Sequence, residues 1–162
     1  MGMICELCAV SEPQAREVLA DPSRVRQLIH SLDQSGESVS LEKSWHGLHF
    51  VLTGTTSGGD PPLNFIATGG EPVGSEDVGY GPARILLPEQ VAELDSALAN
   101  FSDHEFARRF DLEALSNEAV YPDIWDEPRE DLLDEYQDYL AAAKALIAEA
   151  NRHGQAIIVM IR

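Results

Sequence analysis

Apolar runs predict strands near the beginning, the middle and the end of the chain. Met3–Val10 is a largely apolar run that favours a strand. The shorter run Ala83–Leu87 predicts a second, buried strand. Gln155–Ile161 is apolar on both faces, which is typical of a central strand covered by helices on both sides. The sheet that these runs predict is small.

Helical spacing and capping residues predict the elements between these strands. A capping box over Ser11–Gln14 begins a short helix that ends near Ala20. Asp21–Pro22 begins another helix, whose apolar stripe runs from Val25 to Leu32, and Gln34–Glu37 is predicted as a turn. Further helical segments are predicted over Leu63–Thr68, Pro88–Asn100, Ser102–Phe110, Asp111–Glu118 and Pro128–His153.

One further helix is predicted from a tryptophan-bearing stripe. Leu41, Trp45, Leu48 and Leu52 recur at steps of four, three and four residues, which places them on one helical face. Alternation from Leu48 to Leu52 also fits a strand, but we predict a helix over residues 41–53. Gly54 is suitably placed to end it.

The segment 55–82 is rich in glycine and proline and carries little regular pattern. A stretch of this length without regular structure is usually functional or mobile. Helices alternate with a few strands elsewhere, and no repeat or linker divides the chain. We therefore expect one domain over residues 1–162, an α/β fold of three α/β/α layers around a small, mostly buried mixed sheet.

Charge narrows the classes of partner. The chain of 162 residues carries a formal net charge of −17, which disfavours nucleic acid as a partner. No apolar run approaches the length of a membrane span, and no secretory signal precedes the first basic residue, Arg16. Between Asp111 and Asp138 there are eleven acidic residues and one basic residue, Arg129. This stretch is either a solvated helix face or a docking surface for a basic protein.

The two cysteines, Cys5 and Cys8, form a C-x-x-C motif within the first predicted strand. Residues three apart on a strand point to opposite faces, whereas the redox motif requires an electropositive setting such as a helix N-terminus. No second cysteine pair completes a zinc site. We expect two reduced structural thiols, as in a cytoplasmic protein.

Two histidines and one arginine are candidates for a ligand pocket. His46 and His49 lie three residues apart, so a helix would bring both rings toward one ligand. No third metal ligand is indicated by spacing, so we predict neither a metal nor another cofactor. Arg84 follows a glycine-rich turn, where it is placed to meet an anion. The alternatives are packed histidines and a tight turn whose glycines permit positive φ angles.

Aromatic residues in distant segments predict the walls of the same pocket. Tyr121 and Trp125 flank an irregular link that could stack with Trp45 and Tyr80 into a cleft, or could form the edge of the core. Asp123 lies within this link and is the carboxylate that we would examine first for an altered titration. No phosphate-binding loop, dinucleotide fingerprint or nucleophile elbow occurs in the sequence.

Several of these segments together resemble the YfbM-like family of bacterial proteins, a domain of unknown function. The resemblance runs in order over essentially the whole chain, and its most specific part is the lysine–tryptophan–histidine stretch that leads into Leu52-Thr53-Gly54. It implies helices on both faces of a sheet and a cytoplasmic protein, and it implies no reaction. The matching segments are Met1–Ile4, Leu41–Thr55, Gly69–Gly70, Gly79–Arg84, and Tyr121–Pro122 with Trp125.

The sequence thus favours a non-enzymatic cytoplasmic protein that binds a basic protein partner or a small molecule. The contact would be made by the aromatic and histidine cleft or by the acidic surface. The alternative is an uncharacterised enzyme or small-ligand binder with a His/Arg/Asp pocket. The candidate pocket residues are Trp45, His46, His49, Tyr80, Arg84, Tyr121, Asp123 and Trp125.

Overall fold

The sheet in the computed structural model, which describes residues 2–35 and 38–162, has five strands in the order β2-β1-β5-β4-β3. The strands are β1 (Cys5–Val10), β2 (Ser38–Glu42), β3 (Glu71–Pro72), β4 (Arg84–Leu86) and β5 (Ala156–Ile161). All of their pairings are antiparallel, so the sheet is not mixed as we expected. The α/β class itself is confirmed.

Strand β5 lies at the centre of the sheet, as its two apolar faces predict. It pairs with β1 along its whole length and with β4 on its other side. Alternate residues of β5 point into two separate cores: Ile157 and Val159 into the larger, and Ile158 and Met160 into the smaller.

The helices cover both faces of this sheet. Helices α1 (Glu12–Ala20) and α2 (Val25–Ser35) cover the smaller core, and the remaining helices enclose the larger one. These are α3 (Trp45–Thr53), α4 (Pro88–Ala99), α5 (Asp103–Arg109), α6 (Leu112–Asn117) and α7 (Arg129–Arg152). The three layers that the sequence predicts are therefore present.

Local sequence signals explain most of the boundaries. The Ser11 hydroxyl accepts from the Gln14 backbone N–H, and the Gln14 side chain accepts from Ser11 in return, which completes the predicted capping box. Gly54 ends α3 in the left-handed conformation, with φ 78°. Residues 63–68 contain only a 3-10 turn, Leu63–Phe65.

The helix predicted over residues 41–53 is wrong at its beginning. Leu41 and Glu42 belong to β2, and α3 begins at Trp45. Leu41 is nevertheless fully buried in the same core as Leu48 and Leu52, so burial alone reproduced the spacing of a helical stripe. The turn predicted over Gln34–Glu37 is wrong at Gln34 and Ser35, which end α2, and its other two residues lie outside the described ranges.

Candidate functional site

The aromatic residues at the beginning of α3 pack together with the 121–125 link. The rings of Trp45 and His46 stack at a centroid distance of 5.0 Å, and Tyr121 lies 6.3 Å from Trp45. The N-terminal segment closes over them: Trp45 Nε1 donates to the Met3 carbonyl, and the Met3 N–H donates to the Tyr121 phenol oxygen, each at 3.1 Å. We call Trp45, His46 and Tyr121 the aromatic seam.

His46 holds three segments together through both of its ring nitrogens. Nδ1 accepts from the Tyr121 backbone N–H at 3.0 Å, which leaves Nε2 as the protonated nitrogen that donates to the Thr56 carbonyl at 2.9 Å. The ring therefore joins α3 to residue 56 and to the 121–125 link. Neither nitrogen is free to take a proton from a substrate in this arrangement.

His49 lies one turn further along α3 and is fully buried. Neither of its ring nitrogens makes a hydrogen bond of good geometry, although the Gly58 backbone lies close to the ring. Burial lowers the pKa of His49 to about 4, the neighbouring His46 and Arg84 act in the same direction, and the Gly58 backbone opposes the shift. His49 is thus a neutral core residue near pH 7.

Arg84 is buried beside the 3-10 turn, where its guanidinium group meets backbone oxygens. Its Nη1 donates to the carbonyls of Phe65 and Gly69 at 3.0 and 2.6 Å, and its Nη2 donates to the Ile66 carbonyl. Desolvation lowers the pKa of the group, and Cys5 opposes this shift. The side chain therefore anchors the glycine-rich segment rather than presenting a cation to an anion.

The remaining candidates do not stack with the rings of the aromatic seam. Trp125 is buried against Phe110 and Tyr136, with centroid distances of 6.5 and 5.7 Å, and its Nε1 donates to the Val120 carbonyl. Tyr80 is 56% exposed near the end of β5, where its backbone N–H donates to the Ile161 carbonyl. Asp123 is exposed on the 121–125 link.

The eight predicted residues do not enclose one hollow. Trp45, His46 and Tyr121 come together, but they close on each other and on backbone groups. His49, Arg84 and Trp125 are core residues, whereas Tyr80 and Asp123 face solvent at separate places. The expected arrangement fails because the apolar bodies of these side chains gain more from mutual burial than from lining an open cleft.

The two cysteines lie on opposite faces of β1, as the strand spacing predicts. Cys5 is buried in the larger core and Cys8 in the smaller one, and both are free thiols. Burial raises the pKa of Cys5 to about 12 and that of Cys8 to about 11. Thiols held in the neutral form are poor nucleophiles and poor metal ligands, so their role is structural.

An open groove lies next to the aromatic seam, between the end of β2, the 121–127 link and α7. Its volume is about 640 Å³. Its lining combines a half-buried apolar floor with an acidic rim: Pro122, Ile124 and Tyr139 with Glu42, Glu127 and Glu135, together with Lys43 and Ser44. We call this the acidic groove.

Carboxylates converge on one side chain in the acidic groove. Burial, followed by the negative charges of Glu135 and Glu42, raises the pKa of Tyr139 above its ordinary value. Carboxylates from β2 and from α7 therefore act on the same phenol. The Ser40 hydroxyl donates to Glu42 Oε1 at 3.0 Å and orients that carboxylate. The groove thus offers negative charge beside a strip of apolar surface.

None of the lining residues of this groove was singled out individually in the sequence, although the acidic stretch was a possible docking surface. Glu127 and Glu135 belong to the acidic stretch 111–138, but nothing in that stretch distinguishes them from their neighbours. Correct prediction of β2 could have identified them, because a strand that ends at Glu42 places this residue in the same groove as Tyr139 of α7. The helix predicted to begin at Leu41 excluded this arrangement.

Two further features limit the chemistry of the described residues. Within residues 2–35 and 38–162, no three His, Cys, Asp or Glu side chains gather as a metal site would require. Over the same ranges, no helix combines the length and the hydropathy needed to cross a bilayer.

Comparison with known proteins assigns the fold and the family. Among solved structures, the chain is similar to that of a protein of unknown function, YfbM, from Escherichia coli, with a TM-score of 0.73 and 19% identity over 98% of this chain and 99% of that one. No curated protein sequence matches the chain. Residues 1–160 match the model of a family described as Domain of unknown function (DUF1877). The resemblance found in the sequence is confirmed, and the chain belongs to the DUF1877 family.

Proposed function

We propose that this protein is a non-enzymatic cytoplasmic binding protein that takes a basic polypeptide segment in the acidic groove. The observation that carries the proposal is the combination of an apolar floor with a carboxylate rim. Lysine and arginine have the matching form, since their aliphatic stems lie along apolar surface while their charged ends reach toward acids.

The size of the groove fits a short segment of polypeptide. Its volume of about 640 Å³ lies within the range of roughly 300–1,000 Å³ that ligand sites occupy. Pro122, Ile124 and Tyr139 supply the floor, and Glu42 and Glu135 approach Tyr139 from opposite walls. Three carboxylates, of Glu42, Glu127 and Glu135, face one lysine, Lys43, in the lining, so a bound cation would offset the remaining negative charge.

The state of the acid–base residues supports binding rather than catalysis. Both ring nitrogens of His46 are engaged, His49 is sealed in the core, and Arg84 is committed to backbone carbonyls. Asp123 is exposed on the 121–125 link. Among these four residues no general base stands free beside Arg84, which the His/Arg/Asp alternative requires.

The net charge of −17 favours the same class of partner. A strongly acidic protein attracts basic partners over a distance and repels acidic ones, and salt weakens both effects. The rim carboxylates would then determine the orientation of the captured segment.

The test compares two variants that remove equal charge. Fluorescence anisotropy measures binding of a fluorescein-labelled oligolysine to the native chain, to the Glu42→Gln/Glu135→Gln variant, and to Asp131→Asn/Asp134→Asn. The control pair is exposed on α7 but does not line the groove. We expect the groove variant to bind at least ~10-fold more weakly and the control variant to change by less than ~2-fold, because close charge pairs exceed distant ones in energy.

Equal weakening by the two variants would show that only overall charge attracts the peptide. Affinity that is indifferent to salt, or no binding at low salt, would remove the electrostatic basis of the proposal.

A further inference from the structure

The edge of the sheet beside the acidic groove is open. Strand β2 is the outermost strand, paired with β1 on one side, and none of the described residues pairs with it on the other. Ser38 and Glu42 are exposed, and Val39 and Ser40 are half-buried. Such an edge presents unpaired backbone N–H and C=O groups, which serve as a template for another strand.

Helix α7 runs beside this edge and forms a wall. Residues at steps of three and four along α7 share one helical face. In α7 this face contains Glu135, Tyr139, Leu146 and Glu149, and every one of them lines a hollow beside β2. The strand edge and this helix face therefore border two separate hollows, one at each end of β2.

The second of these hollows lies at the beginning of β2. Its volume is about 330 Å³, and its lining includes Ser38, Ala9, Leu146 and Ala150. The carboxylate of Glu149 also lies here, but Arg152 and His153 already pair with it. This hollow therefore has a lining of mixed polarity and is less negative than the acidic groove at the other end.

The geometry points to β-strand addition: an extended basic segment pairs with the open edge of β2 and lies between that strand and α7. This inference rests on the proposed function, because the segment is the one that the acidic groove selects. Main-chain hydrogen bonds to β2 would supply affinity, and the acidic groove would select a basic side chain.

The position of Glu42 defines the segment. Ser38 lines one hollow and Glu42 the other. The two residues pair with Cys8 and Cys5, and a β-bulge between them places their side chains toward opposite faces of the sheet. The segment therefore carries a lysine or arginine over the acidic groove, beside Glu42.

Charge argues against a second copy of this chain as the occupant. Pairing two β2 edges would bring together two chains that each carry −17. Like charges brought together at an interface cost several kcal/mol in general. A basic segment relieves the same repulsion.

The probe is a nonapeptide whose side chains read the same in both directions, so that either strand orientation is tested. It has lysine at each end, leucine at the centre, valine midway between leucine and each lysine, and threonine at the other positions. Two N-methylated forms carry the methyl groups on alternate sets of residues. Alternate N–H groups of a strand point to opposite edges, so only one of these two forms can still pair with β2.

We expect the parent peptide and one N-methylated form to bind alike and the other form to bind at least ~10-fold more weakly. Hydrogen exchange of the backbone amides in residues 38–42 should slow by at least ~10-fold in the complex.

Equal affinity of all three peptides, without protection of β2, would overturn strand addition and leave the proposed function standing. Failure of the parent peptide to bind, while oligolysine still binds through Glu42 and Glu135, would have the same meaning. If the groove variant does not weaken oligolysine, the proposed function itself fails. A concentration-dependent dimer with β2 protected, measured by light scattering without peptide, would replace the basic segment with a second copy.

Discussion

The aromatic seam and the acidic groove lie next to each other but differ in nearly every physical respect. Trp45 and its neighbours are closed on each other and have their polar atoms satisfied by backbone groups. Glu42 to Ser44 immediately precede them in sequence and open into a groove of about 640 Å³. The residues with the richer chemistry are thus structural, and ordinary exposed residues make the candidate binding surface.

This difference follows from how each kind of side chain gains free energy. Burial of Trp45 and Tyr121 stabilises the fold because it removes apolar area from water, and their polar ends find partners within the fold. Burial of carboxylates such as Glu42 and Glu135 without a partner would be unfavourable, so they remain in solvent. A histidine or tryptophan in a sequence is therefore a weaker indication of a site than its chemistry suggests.

The largest expected effect comes from the core side of the comparison. Trp125→Ala should lower the free energy of unfolding by ~3–5 kcal/mol, because it removes a large buried ring beside Phe110 and Tyr136. Tyr139→Ala, in the acidic groove, should cost no more than about 1 kcal/mol. Urea denaturation measures both changes, and equal losses would contradict the division into a structural and an open region.

The next effect depends on pH. The pKa of His49 is about 4 in the folded protein and about 6.5 when unfolded, so the unfolded chain binds the proton more readily. Protonation of His49 does not lower the free energy of unfolding above pH 6.5. As the pH drops to 4, it lowers that free energy by up to about 3 kcal/mol. The loss is largest below the folded pKa, where both states are protonated.

A variant isolates this contribution from that of the carboxylates. His49→Leu should flatten the stability curve between pH 6.5 and pH 4 and should cost little at pH 7, because the ring nitrogens make no hydrogen bond of good geometry that would be lost. His104→Gln, at an exposed position, is the control and should leave the curve unchanged. Parallel curves for the native chain and His49→Leu would show that His49 is solvated.

A smaller effect is expected at Gly47, where the aromatic core meets α3. A Cβ atom there would lie 2.5 Å from Tyr136 Cε2 and 3.1 Å from Trp125 Cη2. Alanine normally stabilises a helix relative to glycine by roughly 0.5–1 kcal/mol, but this clash should reverse the sign and cost ~1–3 kcal/mol. Thermal unfolding of Gly47→Ala tests the sign of the effect. A rise in Tm would mean that the rings of Tyr136 and Trp125 move to make room for the methyl group.

The smallest effect is expected in the acidic groove. The Glu42→Gln/Glu135→Gln variant should unfold within about 0.5 kcal/mol of the native chain, because exposed substitutions seldom alter stability. Glutamine also keeps an acceptor for the Ser40 hydroxyl. A loss above about 1 kcal/mol in urea denaturation would show that these carboxylates support the fold.

The sequence predicted the fold well because its signals are local. The central position of β5 follows from its two apolar faces, and the end of α3 at Gly54 follows from the need for a positive φ. The beginning of α3 could not be predicted in the same way, because Leu41 faces the same core from a strand. The antiparallel pairing of β5 depends on contacts across the whole chain, which periodicity does not encode.

The candidate site was less predictable because it depends on which polar groups remain exposed and unpaired after the chain has folded. The sequence correctly brought Trp45, His46 and Tyr121 together, but it could not show that their polar atoms would be consumed by Met3, Thr56 and each other. Nor could it distinguish Glu135 from the other acids of α7, since only the position of β2 does so. The position of a residue in the fold, rather than its chemical type, therefore decides whether it belongs to the candidate binding surface.

The central place of β5 also has a consequence for biosynthesis. The β2–β1 and β4–β3 pairs are joined within the sheet only through this strand, which follows every other element in the described chain. Neither half of the sheet can therefore join the other until residues 156–161 have left the ribosome. Helices α4 and α7 are free to form earlier from local contacts, but closure of the two cores must wait for the last strand to be translated.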